Sequence, residues 1–146
     1  MKRRKRENIS DLPYCLHDVH MSGIRMKMVD QSFANIKLLF PKGLYKYDAE
    51  EEMICSGEIL LKNVDVDFSN VYLFKVKGQN YGKIRGRKYS ITEFYKKYRT
   101  FDMEIIDETY GYNKTKFAGY MYQKKKTIEF VMEFYHFGDM YYLTEE

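Results

Sequence analysis

Tryptophan is absent from this 146-residue chain, and proline and cysteine occur only twice each. Cys15 and Cys55 have no second pair, which excludes a disulfide framework and a zinc ribbon and makes a reducing cytoplasm the expected compartment. With so little proline and only nine glycines, no flexible linker and no internal domain boundary stand out. No stretch approaches the roughly 18 apolar residues of a membrane-spanning helix. The opening run Lys2-Arg3-Arg4-Lys5-Arg6 is followed by the polar Glu7-Asn8-Ile9-Ser10-Asp11, so the apolar core of a secretion signal is missing. No membrane partner is expected.

Catalytic motifs are scarce as well. There is no Gly-x-Ser-x-Gly elbow, and neither cysteine sits in a recognisable catalytic setting. Gly82-Lys83-Ile84-Arg85-Gly86-Arg87-Lys88 loosely has the order of a phosphate-cradling turn but lacks its spacing and its terminal Gly-Lys-Ser/Thr. The expectation is a protein that is not an enzyme and needs no cofactor.

What is present is apolar and aromatic: 45% of residues are hydrophobic, with 15 Tyr and 10 Phe. A core for one domain of this length is therefore available. Tyrosine suits half-exposed sheet faces, burying its ring while its hydroxyl stays wet. The net charge of +4 is outweighed by the five cations of residues 2–6, so the remainder is close to neutral. Residues 1–10 are expected to be a disordered basic tail, and residues 11–146 a single β-rich domain. The Lys-, Tyr- and Ile-rich composition suits a low-GC bacterium.

Alternation with period two dominates. Ile24, Met26 and Met28 alternate with Arg25 and Lys27, and Asp30-Gln31-Ser32 turns the chain into a partner strand at residues 35–40. Leu44 to Tyr47 reads as a short strand. The stretch Ile54 to Val66 is strand-like, with a change of phase near Lys62-Asn63 that predicts a bulge or a bend. Val71 to Val76 follows, then a basic, Gly-interrupted loop from Gly78 to Lys88. Ile128, Phe130, Met132 and Phe134 point inward from the cleanest strand, opposite Glu129 and Glu133, after a Lys124-Lys125-Lys126 hairpin tip. Gly138-Asp139 reads as a two-residue turn folding Met140 to Leu143 back on that strand. One helix is predicted, where Ser90-Ile91-Thr92-Glu93 matches a capping box and Ile91, Phe94, Tyr95 and Tyr98 form one stripe. Lys96, Lys97 and Arg99 crowd its end, where positive charge complements the helix dipole. The pattern predicts a mainly β fold, an antiparallel β-sandwich or open barrel with one short α-helix, on the border of α+β.

Three groups of residues could bind something. His17, Asp18 and His20 are potential metal ligands, with Asp65 and Asp67 as further oxygens. In an extended chain, however, the two histidines point to opposite faces, and Asp18 as a turn residue is the simpler reading. The basic tail, the loop with Lys83, Arg85, Arg87 and Lys88, and the helix end with Lys96, Lys97 and Arg99 could line one surface for nucleic acid, with Tyr81 and Tyr89 for stacking. The acidic run Glu50-Glu51-Glu52 opposes that field and, like the basic loop, would suit a protein partner. His136 is in phase with the inward residues and reads as a core-edge histidine making one hydrogen bond.

The run Leu16-His17-Asp18-Val19-His20, followed by an alternating strand, a second strand ending at Phe40 and a Pro41-Lys42-Gly43 turn, resembles the opening of small β-rich bacterial proteins. Some of these resemble immunity proteins of polymorphic toxin systems. The likeness covers about the first half of the chain. It implies a non-enzymatic domain that binds another protein, immunity-like toxin neutralisation being its most specific form, and it brings no catalytic residue. A nucleic-acid-binding module is the alternative, and a small-molecule-binding sandwich lined by Tyr and Met the third.

Overall fold

In the computed structural model, residues 1–10, 12–46, 56–76 and 84–146 are described. Cys55, Tyr81, Lys83 and the Glu50-Glu51-Glu52 run lie outside the described residues. Among the described residues, strand accounts for 62% and helix for 6%, in antiparallel sheets of which none closes into a barrel.

One sheet has five strands in the order β1 (Lys2–Lys5), β13 (Met140–Thr144), β7 (Gly57–Asp65), β5 (Phe33–Phe40) and β4 (Gly23–Met28). The other has six, in the order β3 (His20–Met21), β10 (Met103–Tyr110), β11 (Lys114–Gln123), β12 (Lys126–Tyr135), β8 (Asn70–Val76) and β9 (Ile84–Ser90). β2 (Tyr14–Cys15) and β6 (Tyr45–Lys46) form a separate short pair. The inward residues of both large sheets belong to one core, with Ile36, Leu38, Ile59 and Leu61 from one and Phe117, Phe130, Met132 and Phe134 from the other. Burial alternates residue by residue along β5, as period two requires.

Local chemistry sets the turns. Asp30 accepts from the backbone of Ser32 and Phe33 at 2.8 Å, which closes the β4–β5 hairpin. The phase change in β7 is a bulge, with Asn63 at φ 52° and register shifting opposite Ala34 and Ile36. Helix α1 (Ile91–Lys97) has the reciprocal capping box of Ser90 and Glu93, and it buries Ile91 and Phe94. Its aromatic stripe packs onto Tyr89 and Phe101.

Three expectations fail for tertiary reasons. The basic start is not a disordered arm. It is edge strand β1, paired with β13 from Lys2↔Thr144 to Lys5↔Tyr141. Arg6 anchors its end: the side chain is buried, its guanidinium lies 4.4 Å from the Tyr110 ring centroid, and its backbone donates to Met140. Arg85, Arg87 and Lys88 are likewise on a strand, β9, rather than in a loop, because β8 offers them a full ladder. Gly138-Asp139 does not close a hairpin either. Phe137 and Gly138 donate to Asn63 and Lys62, and Lys62 donates back to Asp139. The chain thus crosses between the sheets at the bulge, and β13 pairs with β7 and β1 instead of β12.

Candidate functional site

The Leu-His-Asp element is a clamped turn. Asp18 adopts φ 65° and donates its backbone N–H to Ile105, while Val19 donates to Leu16. Leu16 and Val19 are fully buried, so the turn fixes the entry to β3 on β10. Its histidines go separate ways. His17 is exposed beside Asp18 at 3.1 Å, whereas His20 contacts Asp102 at 2.6 Å and Glu104 at 3.8 Å. Asp65 sits on the other sheet, where it accepts from the backbone of Asp67. Among the described residues no group of three or more His, Cys, Asp or Glu is arranged for a metal, and His17 and His20 turn to different acidic neighbours.

The contacts of His20 belong to a larger surface. Register places His20, Glu104 and Tyr120 on one face across β3, β10 and β11. Tyr120 faces Glu129 and Ala118 faces Val131 on β12, while Phe74 and Tyr72 of β8 continue those rows to Gly86 and Lys88 of β9. This is the outward face of the six-stranded sheet. A groove of about 410 Å³ crosses it, lined by Tyr72, Phe74, Gly86, Arg87, Lys88 and Val131. A second depression of about 140 Å³ shares Phe74 and Val131 and continues to Ile106, Ala118 and Tyr120. The centre is apolar and aromatic. Arg87 and Lys88 edge it on one side, and Asp102, Glu104 and Asp107 on the other, with Glu129 set between Tyr120 and Phe74.

Comparison of the chain with family models, curated proteins and solved structures gave no match.

Both edges are held in place by neighbouring groups. On the acidic side, Tyr122 donates to Glu104 at 2.5 Å, and that bond, with the nearby carboxylates, pushes the phenol up to about 12. Tyr122 stacks 6.1 Å from His20, centroid to centroid. On the basic side, Lys88 lies over the Tyr72 ring at 5.9 Å and Arg87 over the Tyr89 ring at 4.8 Å. Lys97 donates to the Tyr89 hydroxyl at 3.2 Å. Burial opposes ionisation of Tyr89, yet hydrogen bonds from Lys97 and Tyr98 and the charges of Lys97 and Arg87 bring its pKa below the ordinary value. Lys96 is exposed on α1. The sequence reading found the cations of this rim but missed its aromatic centre, because Tyr72, Phe74 and Val131 sit in a run that also supplies core. Only register separates the outward set.

His136 is more tightly held than predicted. It is fully buried and makes two hydrogen bonds, to Thr115 Oγ1 at 2.7 Å and to the Gly138 carbonyl at 2.9 Å.

Proposed function

We propose that this chain is a non-enzymatic protein-binding domain, and that it docks its partner on the outward face of the six-stranded sheet. One observation supports this reading above others. An uncovered aromatic and aliphatic centre lies between a basic and an acidic rim, as in interfaces whose dry core is ringed by polar groups. Isolated outward aromatics are ordinary on a sheet; two adjoining depressions that share Phe74 and Val131 are not. The complementary partner is a folded protein with an apolar anchor flanked by acidic groups on one side and basic groups on the other. Immunity-like neutralisation of a toxin is the most specific form of this proposal. A nucleic acid fits this face poorly, because Glu104, Asp107 and Glu129 would repel phosphates. No helix is long and apolar enough to cross a membrane among the described residues.

Val131→Arg tests it, since a charge in the centre would have to be desolvated on docking. We expect affinity for the captured partner to fall by at least about 30-fold, as for an interface hot spot, with the melting temperature nearly unchanged. Cross-links from Lys88 into that partner are the second expected result. A partner bound equally well by wild type and Val131→Arg would sink the reading.

A further inference from the structure

The outward face of the five-stranded sheet is different in kind. Lys5, Tyr141, Leu60, Lys37 and Arg25 are successive cross-strand partners from β1 to β4, so they share one row and one face. Arg3 lies two residues along from Lys5, with its guanidinium 3.9 Å from the Tyr141 ring centroid. Lys27 is two residues from Arg25, and Lys62 borders the same cleft. Against these cations the described strand residues of the face offer Glu58, 3.9 Å from Lys37, and Asp65, the cross-strand partner of Phe33, while Lys5 pairs with Asp139 at the turn. Arg25, Lys27 and Lys62 have no ion pair among the described residues.

This pattern is unfavourable in the free protein. Arg25 and Lys37 stand directly opposite each other, and like charges at such positions repel. An anion between them reverses the sign of that interaction. The cleft there, about 450 Å³, is lined by Arg25, Lys27, Asn35, Lys37, Lys62 and the ring of Tyr95 from α1. Its size is that of a small-ligand site, and it combines cations with an aromatic ring and an amide. Positive charge continues past the ring, because Arg99 lies 5.1 Å from the Tyr95 centroid. The row through Tyr141 to Arg3 and Lys5 extends it across the whole sheet.

We infer that this face binds single-stranded nucleic acid, with phosphates along the row from Arg25 to Arg3 and a base against Tyr95 in the cleft. The cations supply sequence-independent affinity, and the ring supplies stacking that every base can use. The tail and the helix end, which sequence reading joined to the basic residues of β9, lie at opposite edges of this sheet. Arg25, Lys27, Lys37 and Lys62 bridge them.

Fluorescence anisotropy with a uridine oligonucleotide of about 12 residues tests the inference. We expect binding at about 50 mM salt, with log K falling against log salt at a slope of roughly −2 to −3. The double variant R25E/K37E should bind at least about 30-fold more weakly with a shallower slope, and Tyr95→Ala about 10-fold more weakly with the slope kept. R25E/K37E should melt cooperatively within about 4 °C of wild type, since the partly exposed Lys37–Glu58 pair that it removes is weak, so lost binding cannot reflect lost folding. The inference is overturned by absence of binding at low salt, by R25E/K37E binding like wild type, or by polyglutamate of similar length binding as tightly as the oligonucleotide. Val131→Arg should leave oligonucleotide binding unchanged, which keeps this test independent of the protein-binding face.

Discussion

Gly119→Val is expected to destabilise the protein by at least about 3 kcal/mol, lowering the melting temperature by roughly 10 °C. Gly119 lies on β11 opposite Ile105, at the point where the β10 register shifts between Ile105 and Asp107. A Cβ there would fall 1.9 Å from the Glu104 carbonyl oxygen and 3.0 Å from the Ile106 nitrogen. Both are backbone atoms and cannot rotate away. The bulge would have to open, and with it the long β10–β11 ladder that ends at Tyr110↔Thr115. Because Glu104 also holds Tyr122, the acidic rim of the proposed docking face would move too. Thermal denaturation followed by far-UV circular dichroism reads the effect. A melting temperature within about 3 °C of wild type would show that the bulge is not rigid.

His136→Leu is expected to cost about 3 kcal/mol at neutral pH and to change how stability depends on acid. The tautomer follows from the partners. The Gly138 carbonyl only accepts, so Nδ1 carries the proton and donates to it, which leaves Nε2 to accept from the Thr115 hydroxyl. Leucine removes both bonds, which leaves the half-buried Gly138 carbonyl without its donor and the buried Thr115 hydroxyl with only Met140 Sδ at 3.9 Å. Burial, helped by the nearby charge of Arg6, lowers the His136 pKa, with the hydrogen bond to Gly138 and the charge of Asp139 acting against it. The folded state therefore resists a proton that the unfolded chain accepts below its value of about 6.5. The unfolded state binds more protons in that window, so stability falls as pH drops from about 6.5 toward the lowered folded value, by at most about 1.4 kcal/mol per unit. Leucine has nothing to titrate, so the gap between wild type and variant should narrow as pH falls. Urea denaturation at several pH values measures it. A constant gap would mean that His136 titrates alike in both states.

The β class and the helix were legible because each is written in local chemistry. Period two along residues 128–134 sets an inward row of Phe130, Met132 and Phe134, and the Ser90–Glu93 pair closes a capping box that no distant contact has to supply. The bulge at Asn63 was legible for the same reason, since an extra residue inverts the phase of alternation. Partner choice was not. Gly138-Asp139 has the composition of a hairpin turn, and only its hydrogen bonds to Lys62 and Asn63 send β13 to the other sheet. The basic start has the composition of a solvated tail, yet β13 presents it with a free edge to pair, and Tyr110 gives Arg6 a ring to stack on.

The candidate surfaces divide the same way. Arg87, Lys88, Lys97 and His20 were visible as residue types, but which cations share a face depends on register across strands far apart in sequence. Lys5 meets Tyr141, and Lys37 meets Leu60, through pairings that no local pattern encodes, whereas Arg25 meets Lys37 across the hairpin that Asp30 turns. The sequence by itself determined a mainly β chain with one capped helix and a nearly neutral body, because propensity, periodicity and charge are sums over neighbours. Tertiary structure alone decided that the strands form two sheets with unlike outward faces. Pairing fixes side-chain direction across the chain, and direction decides which charges and rings meet.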